Sequence, residues 1–306
     1  MRQHSLQISL CLLACSLFFL EGPSSALAFQ GIISPPVLGL NAVTEVESDT
    51  TLMELAVQTG VGFQALQNAN PGLDPWAPPV GARIVIPKQA LFPGEPITGV
   101  TINLAELRLY YLPDSTREEG FVYPLGIGRA GWETPEGDFQ VVIKRERPIW
   151  RVPTTIKAEH PELPDYIPAG PHNPLGNYWL GLSAPGYGLH GTNRPQGVGR
   201  RVSHGCIRLY EQDIQALYEN VDLGTKVRIL YQPAKASRRK DLLLLEVHPD
   251  YLGRYPDMFQ EALTRIGKLG WDGEINYNKI LEVVSEQRGV PIAVGHRAKQ
   301  KGSPPL

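Results

Sequence analysis

Neither sign of charge is in excess in this chain: 29 Lys and Arg stand against 31 Asp and Glu, a formal net charge of −2. That balance leaves no basic footprint for nucleic acid and no polybasic membrane signal. Long apolar runs are also lacking. The one run of note, Leu6 to Leu20, ends abruptly at Glu21-Gly22-Pro23 and is too short for a good membrane span. Cysteine is scarce, with three in 306 residues, and the histidines and cysteines show no standard zinc spacing. The glycine-rich Gly126-Ile127-Gly128-Arg129-Ala130-Gly131 lacks the spacing of a nucleotide-binding loop, and a strand rather than a helix follows it. Proline and glycine, by contrast, are plentiful at 28 and 31, and fall in turns along the chain. Many short strands are expected rather than a helical bundle.

The start of the chain reads as a targeting segment. Arg2 and His4 precede the apolar run, and Ala26-Leu27-Ala28 offers a small-x-small cleavage site, so residues 1–28 are expected to be a secretory signal peptide cut after Ala28. No stable transmembrane segment would remain. An alternative is a lipobox at Leu12-Leu13-Ala14-Cys15, which would lipidate Cys15, although Ser16 to Leu20 stays apolar where a released lipoprotein begins with a polar tether. Cleavage removes Cys11 and Cys15 and leaves Cys206 as a lone thiol in an oxidising compartment, a liability unless it is buried or used. The polar flank Ser203-His204-Gly205 argues against a buried, inert thiol.

Residues 42–88 read as a compact βααβ unit. Thr50 or Thr51 caps a helix with Leu52, Leu55 and Ala56 inward; Phe63 to Ala69 is a second helix; Asn70-Pro71-Gly72 is a turn; Arg83 to Pro87 is a strand. Gln89 to Pro96 reads as a linker. Residues 97–232 hold a run of short strands, with a long proline-rich segment, 145–176, in which Trp150, Tyr166 and His172 are candidates to line a groove. One helix opens at Tyr210-Glu211, with Ile214, Leu217 and Tyr218 at i, i+3, i+4 spacing. The expected core is a β-sandwich-like or open-barrel arrangement. A basic linker, Pro233 to Arg239, then leads to a small α-rich appendage over 240–297, with helices near 256–268 and 275–287.

The densest chemistry lies between His190 and Leu209. A free thiol is mostly protonated at neutral pH, and an imidazole beside Cys206 can take its proton and hold the ion pair. Two candidates exist. His204 is two residues from Cys206, a spacing that puts both on one face of a strand, but Gly205 between them suggests a bent backbone. His190 begins the glycine-rich stretch and can fold back, with the Gly191 carbonyl orienting its ring where other triads use a carboxylate. The N–H groups of Gly205 and Cys206 are candidate oxyanion donors. Arg208, or one of Arg194, Arg200 and Arg201, can clamp a substrate carboxylate. A zinc site built from His190, His204 and Cys206 is the competing chemistry.

These residues carry two resemblances. Thr51-Leu52, Leu55-Ala56, the Asn70-Pro71-Gly72 turn and the run from Pro79 through Gly81, Ile84 and Ile86 to Pro87 resemble a LysM domain, which implies a partner in glycan strands containing N-acetylglucosamine; Thr50 departs from the family's usual Asp. His190-Gly191-Thr192-Asn193 followed by Ser203-His204-Gly205-Cys206-Ile207-Arg208-Leu209 resembles the signature of the YkuD-type L,D-transpeptidases, in the ErfK-like branch. The likeness extends over residues 98–231 and takes in Gly128, Thr134-Pro135, Gly137, Phe139 and the stretch Pro168 to Gly176. It implies a mainly β catalytic domain of YkuD fold and a cysteine acyl transfer without metal or cofactor. Cys206 would be the nucleophile on the meso-diaminopimelate–D-alanine bond of a peptidoglycan stem peptide. His190 would be the base and His204 a supporting residue, with Gly191, Ser203, Gly205 and Arg208 forming the substrate pocket. The acceptor would be a second stem peptide or the lysine of a wall-anchored lipoprotein, and the protein would be exported to the periplasm and the cell wall. An L,D-carboxypeptidase using the same residues, or a non-catalytic wall-binding protein, are the other readings.

Overall fold

The computed structural model describes residues 36–114 and 120–297. The proposed leader with Cys11 and Cys15 lies outside the described residues. Among those residues no helix is long and apolar enough to cross a membrane.

The protein is mainly β, organised on one eight-stranded sheet. Its strands run in the order Ile207–Arg208, Gly188–His190, Tyr178–Leu182, Gly137–Glu146, Lys226–Leu230, Gly99–Asn103, Arg108–Leu112 and Phe121–Pro124. The two edges of this order meet. Gly126, just beyond the last strand, exchanges both backbone hydrogen bonds with Arg208 on the first, each 2.8 Å. The sheet therefore curls until it closes on itself, which leaves no long unpaired edge. Of the two expected forms of the mainly β core, this single curled sheet is the open-barrel one.

Burial along the central strands follows from having partners on both faces. In Arg108–Leu112, Leu109 and Tyr111 join the interior core with Val100, Ile102, Leu180, Leu189 and Ile207. Tyr110 and Leu112 point the other way, under Leu38, Ala90 and Phe92. The segment expected to be a linker is thus fastened down. Ala90–Leu91 pairs with Val37–Leu38, and Ala90, Leu91 and Phe92 are buried. Helix Glu211–Asn220 closes the interior with Ile214 and Leu217.

Residues 42–86 hold strands Ala42–Glu45 and Arg83–Ile86, paired antiparallel, with helices Leu52–Thr59 and Phe63–Ala69 between them. The first helix starts where Thr51 and Glu54 cap each other. Thr51 Oγ1 accepts from the Glu54 N–H at 3.1 Å, and Glu54 Oε2 accepts from the Thr51 N–H at 2.8 Å. The cap is complete with Thr at position 50. Asn70 secures the following turn by bonding the backbone of Val85 in both directions, at 2.7 and 2.9 Å.

The C-terminal part is mixed rather than α-rich. Ala234–Arg239, Leu242–Val247, Ile292–His296 and Glu274–Ile275 form a four-stranded sheet, with helices Met258–Gly267 and Tyr277–Glu286 against it. The basic stretch before it is no linker. Ala234–Arg239 pairs along its whole length with Leu242–Val247, and Lys235 is fully buried. Its charge disguised a strand, because the ammonium is satisfied inside the protein. Lys235 Nζ lies 2.6 Å from Glu106 Oε2 and 3.1 Å from Glu246 Oε2.

Candidate active site

The closing edge of the sheet positions the reactive residues. Gly188–His190 and Ile207–Arg208 are parallel neighbours, with Leu189 opposite Ile207 and His190 opposite Arg208. Leu189 and Ile207 are fully buried in the interior core and anchor the pair. Cys206 stands immediately before the second strand, so it and His190 come from adjacent strands although sixteen positions separate them in the sequence. Both line a cavity of about 710 Å³ with His204, Ser203, Arg194 and Arg208.

Gly205 makes the bend before the thiol. Its φ of +100° is one that L side chains rarely adopt, and a Cβ there would meet Tyr187 Cε1 at 2.7 Å. Ser203 braces the same turn: its hydroxyl donates to the Cys206 carbonyl at 2.5 Å and accepts from the Gly205 N–H at 3.2 Å. Of the two expected oxyanion donors, the Gly205 N–H is therefore already engaged. The Gly205 carbonyl accepts from Thr134 Oγ1 at 2.8 Å, which explains a threonine far upstream in the chain.

His190 is 3% exposed, and its Nδ1 lies 2.6 Å from the Gly191 carbonyl oxygen. A carbonyl only accepts, so Nδ1 carries the proton and Nε2 keeps the lone pair. The Trp179 indole stacks on the imidazole, with centroids 5.8 Å apart and planes at 22°. Burial, with a smaller push from Arg208, lowers the imidazole pKa to about 3. Burial raises the Cys206 thiol, against the Gly188 N–H and Arg208, which both favour the thiolate. Both shifts favour the neutral thiol and imidazole over a charged pair. Alkylation of Cys206 by iodoacetamide, followed by mass spectrometry of the peptide that carries it, is expected to keep rising above about pH 9. A plateau near neutrality would instead mean a resting thiolate.

His204 is turned to a different partner. Its Nε2 is 3.1 Å from Glu159 Oε2 and 3.1 Å from Arg129 Nη2, while Arg129 itself donates to Glu159 at 2.6 Å. One ring nitrogen cannot donate to Glu159 and accept from Arg129 together, so the ring's tautomer decides which of the two contacts is a hydrogen bond. Trp132 packs edge-on against the same ring at 5.0 Å.

Glu159 ends the short helix Thr154–Glu159, which belongs to the proline-rich segment. That segment is ordered. Trp150–Arg151 pairs with Tyr166–Ile167, and the buried Asn173 donates to the Pro148 carbonyl at 2.8 Å. It forms one wall of the cavity. Trp150 and His172 line it as expected, but Tyr166 is 63% exposed and points elsewhere.

The arginines sort themselves. Arg208 and Arg194 line the cavity. Arg208 Nε is buried without a partner among the described residues, and burial, then Arg194, pulls its pKa down. An anion in the cavity would relieve both effects. Arg200 and Arg201 face away: their guanidinium carbons lie over the rings of Phe63 at 6.0 Å and Tyr251 at 4.2 Å.

The zinc alternative fails on geometry. Among the described residues, the only ligand atoms of three such side chains within 4.8 Å of one another belong to Glu106, Glu246 and His248. His190, His204 and Cys206 do not converge in this way, and Arg108 and Lys235 already neutralise that buried trio. Sequence reasoning missed Arg129, Glu159 and Trp179, which contact His204 and His190. Each is a single residue whose partner lies far along the chain, with no local pattern to mark it.

Comparison with known proteins adds an independent line. The YkuD family model, described as an L,D-transpeptidase catalytic domain, matches residues 98–229. The Escherichia coli K12 protein named "Probable L,D-transpeptidase YcfS" is 44% identical over 222 residues, covering 69% of each chain. The one named "Probable L,D-transpeptidase ErfK/SrfK" from the same organism is 38% identical over 273 residues, covering 84% of this chain and 87% of its own. A third from that strain, "Probable L,D-transpeptidase YbiS", is 39% identical over 220 residues, covering 69% and 71%.

Proposed function

The chain belongs to the YkuD-type L,D-transpeptidases, in the ErfK-like branch, and we propose that Cys206 is its nucleophile, acting on the meso-diaminopimelate–D-alanine bond of a peptidoglycan stem tetrapeptide. The observation that carries this reading is the locked tautomer of His190, whose Nδ1 is held by the Gly191 carbonyl while its ring and the Cys206 thiol line one cavity.

The steps follow from the resting neutral pair. His190 Nε2 takes the thiol proton as sulfur adds to the carbonyl carbon. The Cys206 N–H stabilises the oxyanion. Collapse breaks the C–N bond, and the imidazolium returns its proton to the departing D-alanine amine. The thioester passes its acyl group to an acceptor amine, which restores the thiol. Coupling proton transfer to attack avoids a free thiolate–imidazolium pair before the carbonyl is engaged, and the charges that form are those of the oxyanion and the imidazolium. Arg208, with Arg194 beside it, holds a substrate carboxylate. Ser203 and Gly205 fix the turn that presents the thiol, and His204 ties it to Glu159 and Arg129. No metal or cofactor takes part.

The unit over residues 42–88 is assigned as a LysM-like module that binds wall glycan. The leader sends the protein to the periplasm, where the acceptor is a second stem peptide or a lipoprotein lysine. Incubating the purified protein with a disaccharide tetrapeptide, and following products by mass spectrometry, tests the reading. D-Alanine release with a cross-linked dimer is expected. Tripeptide alone would make the enzyme an L,D-carboxypeptidase, and unchanged tetrapeptide would end the proposal.

A further inference from the structure

The Gly191–Thr192 peptide is held from both ends. Its carbonyl accepts from His190 Nδ1 at 2.6 Å, and its N–H donates to Glu211 Oε1 at 2.7 Å. The two groups share one plane, so whatever fixes the N–H also aims the carbonyl. Glu211 opens the helix Glu211–Asn220, and its other oxygen accepts from the Asn177 N–H at 3.1 Å and Asn177 Nδ2 at 3.2 Å. Its carboxylate thus joins three separate segments: the end of the proline-rich wall, the residues after His190, and the helix that closes the core.

Two glycines make room for it. A Cβ on Gly191 or on Gly176 would stand 1.8 Å from Glu211 Oε1. Each glycine lies beside this carboxylate, so the local sequence on both sides is shaped around it. The carboxylate also sits at a helix N-terminus, where negative charge is favoured.

We infer that Glu211 is a positioning residue for His190, acting through the Gly191–Thr192 peptide to hold and polarise the carbonyl that orients the imidazole. A carboxylate bonded to one end of a peptide strengthens the acceptor at the other, because hydrogen bonds in a chain polarise one another. The site then has the logic of a nucleophile, base and acid triad with a peptide group inserted between the last two. This supports the imidazolium formed during attack, which the buried setting otherwise disfavours.

The inference rests on the reading of His190 as the base, and the test separates the two. In Glu211→Gln the side chain keeps its length and loses its charge. Its kcat for D-alanine release is expected to fall about tenfold with KM within about twofold. In the resting full chain, the downfield proton resonance of His190 Nδ1–H is expected to move upfield. That second readout needs no turnover, so it holds even if Cys206→Ala proves active and the transpeptidase reading fails. An unmoved resonance, or a kcat per folded molecule within about twofold of the parent, overturns the inference. Should Glu211→Gln not fold, Glu211→Asp keeps the charge but falls short of Thr192, and the same shifts in resonance and kcat are required of it.

Discussion

Replacing Cys206 with alanine is expected to lower D-alanine release from a stem tetrapeptide by about four orders of magnitude or more. The loss is large because the thioester route disappears altogether, and the residual turnover is what binding and the oxyanion donor provide to a water attack. The substitution should leave the fold intact. The side chain is half-buried on the cavity wall, and its contacts are a 3.6 Å bond to the Gly186 carbonyl and the N–H of Gly188. Circular dichroism and the thermal midpoint should match the parent, and substrate should still protect the cavity. Intact-mass spectra of the parent with substrate should show a covalent acyl adduct that the variant lacks. A Cys206→Ala protein that keeps more than about a tenth of the activity would remove Cys206 from the nucleophile role.

Lys235→Met is expected to cost about 3–5 kcal/mol of stability, because it leaves two buried carboxylates with one full cation. Glu106 and Glu246 have fully buried side chains. Arg108 reaches Glu246 at 2.8 Å and Glu106 at 3.3 Å, while Lys235 bridges both and also donates to the Leu91 carbonyl at 2.9 Å. Tyr110 donates to Glu106 at 2.8 Å, and Glu246 accepts from the Leu91 N–H at 2.7 Å. The cluster ties the segment before the curled sheet, the sheet itself and the C-terminal sheet together. Removing the ammonium strands charge on fully buried side chains, whereas removing both an ammonium and a carboxylate keeps the balance. Denaturant unfolding should therefore show Glu106→Gln recovering part of the loss in the Lys235→Met background. A single-variant cost below about 1 kcal/mol would show that the ion pair is idle.

The pH sign for this cluster is determined by Glu246. Burial raises its pKa, but Lys235, His248 and Arg108 together outweigh that and hold it at about 2, below the ordinary 4.5. The folded protein binds fewer protons than the unfolded chain between those values. Its contribution is therefore present above pH 4.5 and is lost as pH falls toward 2.

The mainly β character of the central region was legible because its signals are local. The run of short strands over residues 97–232 and the i, i+3, i+4 spacing of Ile214, Leu217 and Tyr218 are each written within a few residues of sequence. The errors occurred where tertiary partners reverse a local signal. Lys235, Arg238 and Arg239 read as a solvated basic linker, yet Lys235 is 0% exposed because two carboxylates distant in sequence receive it. Ala90 to Phe92 read as a tether, yet a sheet face and Val37–Leu38 cover it. The single curled sheet could not be told from a sandwich, since closure depends on one pairing, Gly126 with Arg208, which no periodicity announces.

By itself the sequence carried the family signature at its centre. Histidine, glycine-bent cysteine and arginine stand close enough along the chain that their order alone carries a family signature. Only the tertiary structure decided their states and supports. Charge and proton position depend on burial and on partners across the fold, so the neutral resting pair, the engaged Gly205 N–H and the hold of Glu159 on His204 follow from packing. Glu211 is the sharpest case. In the sequence it is the first acidic residue of an amphipathic helix, and in the fold its carboxylate stands behind the peptide that aims His190.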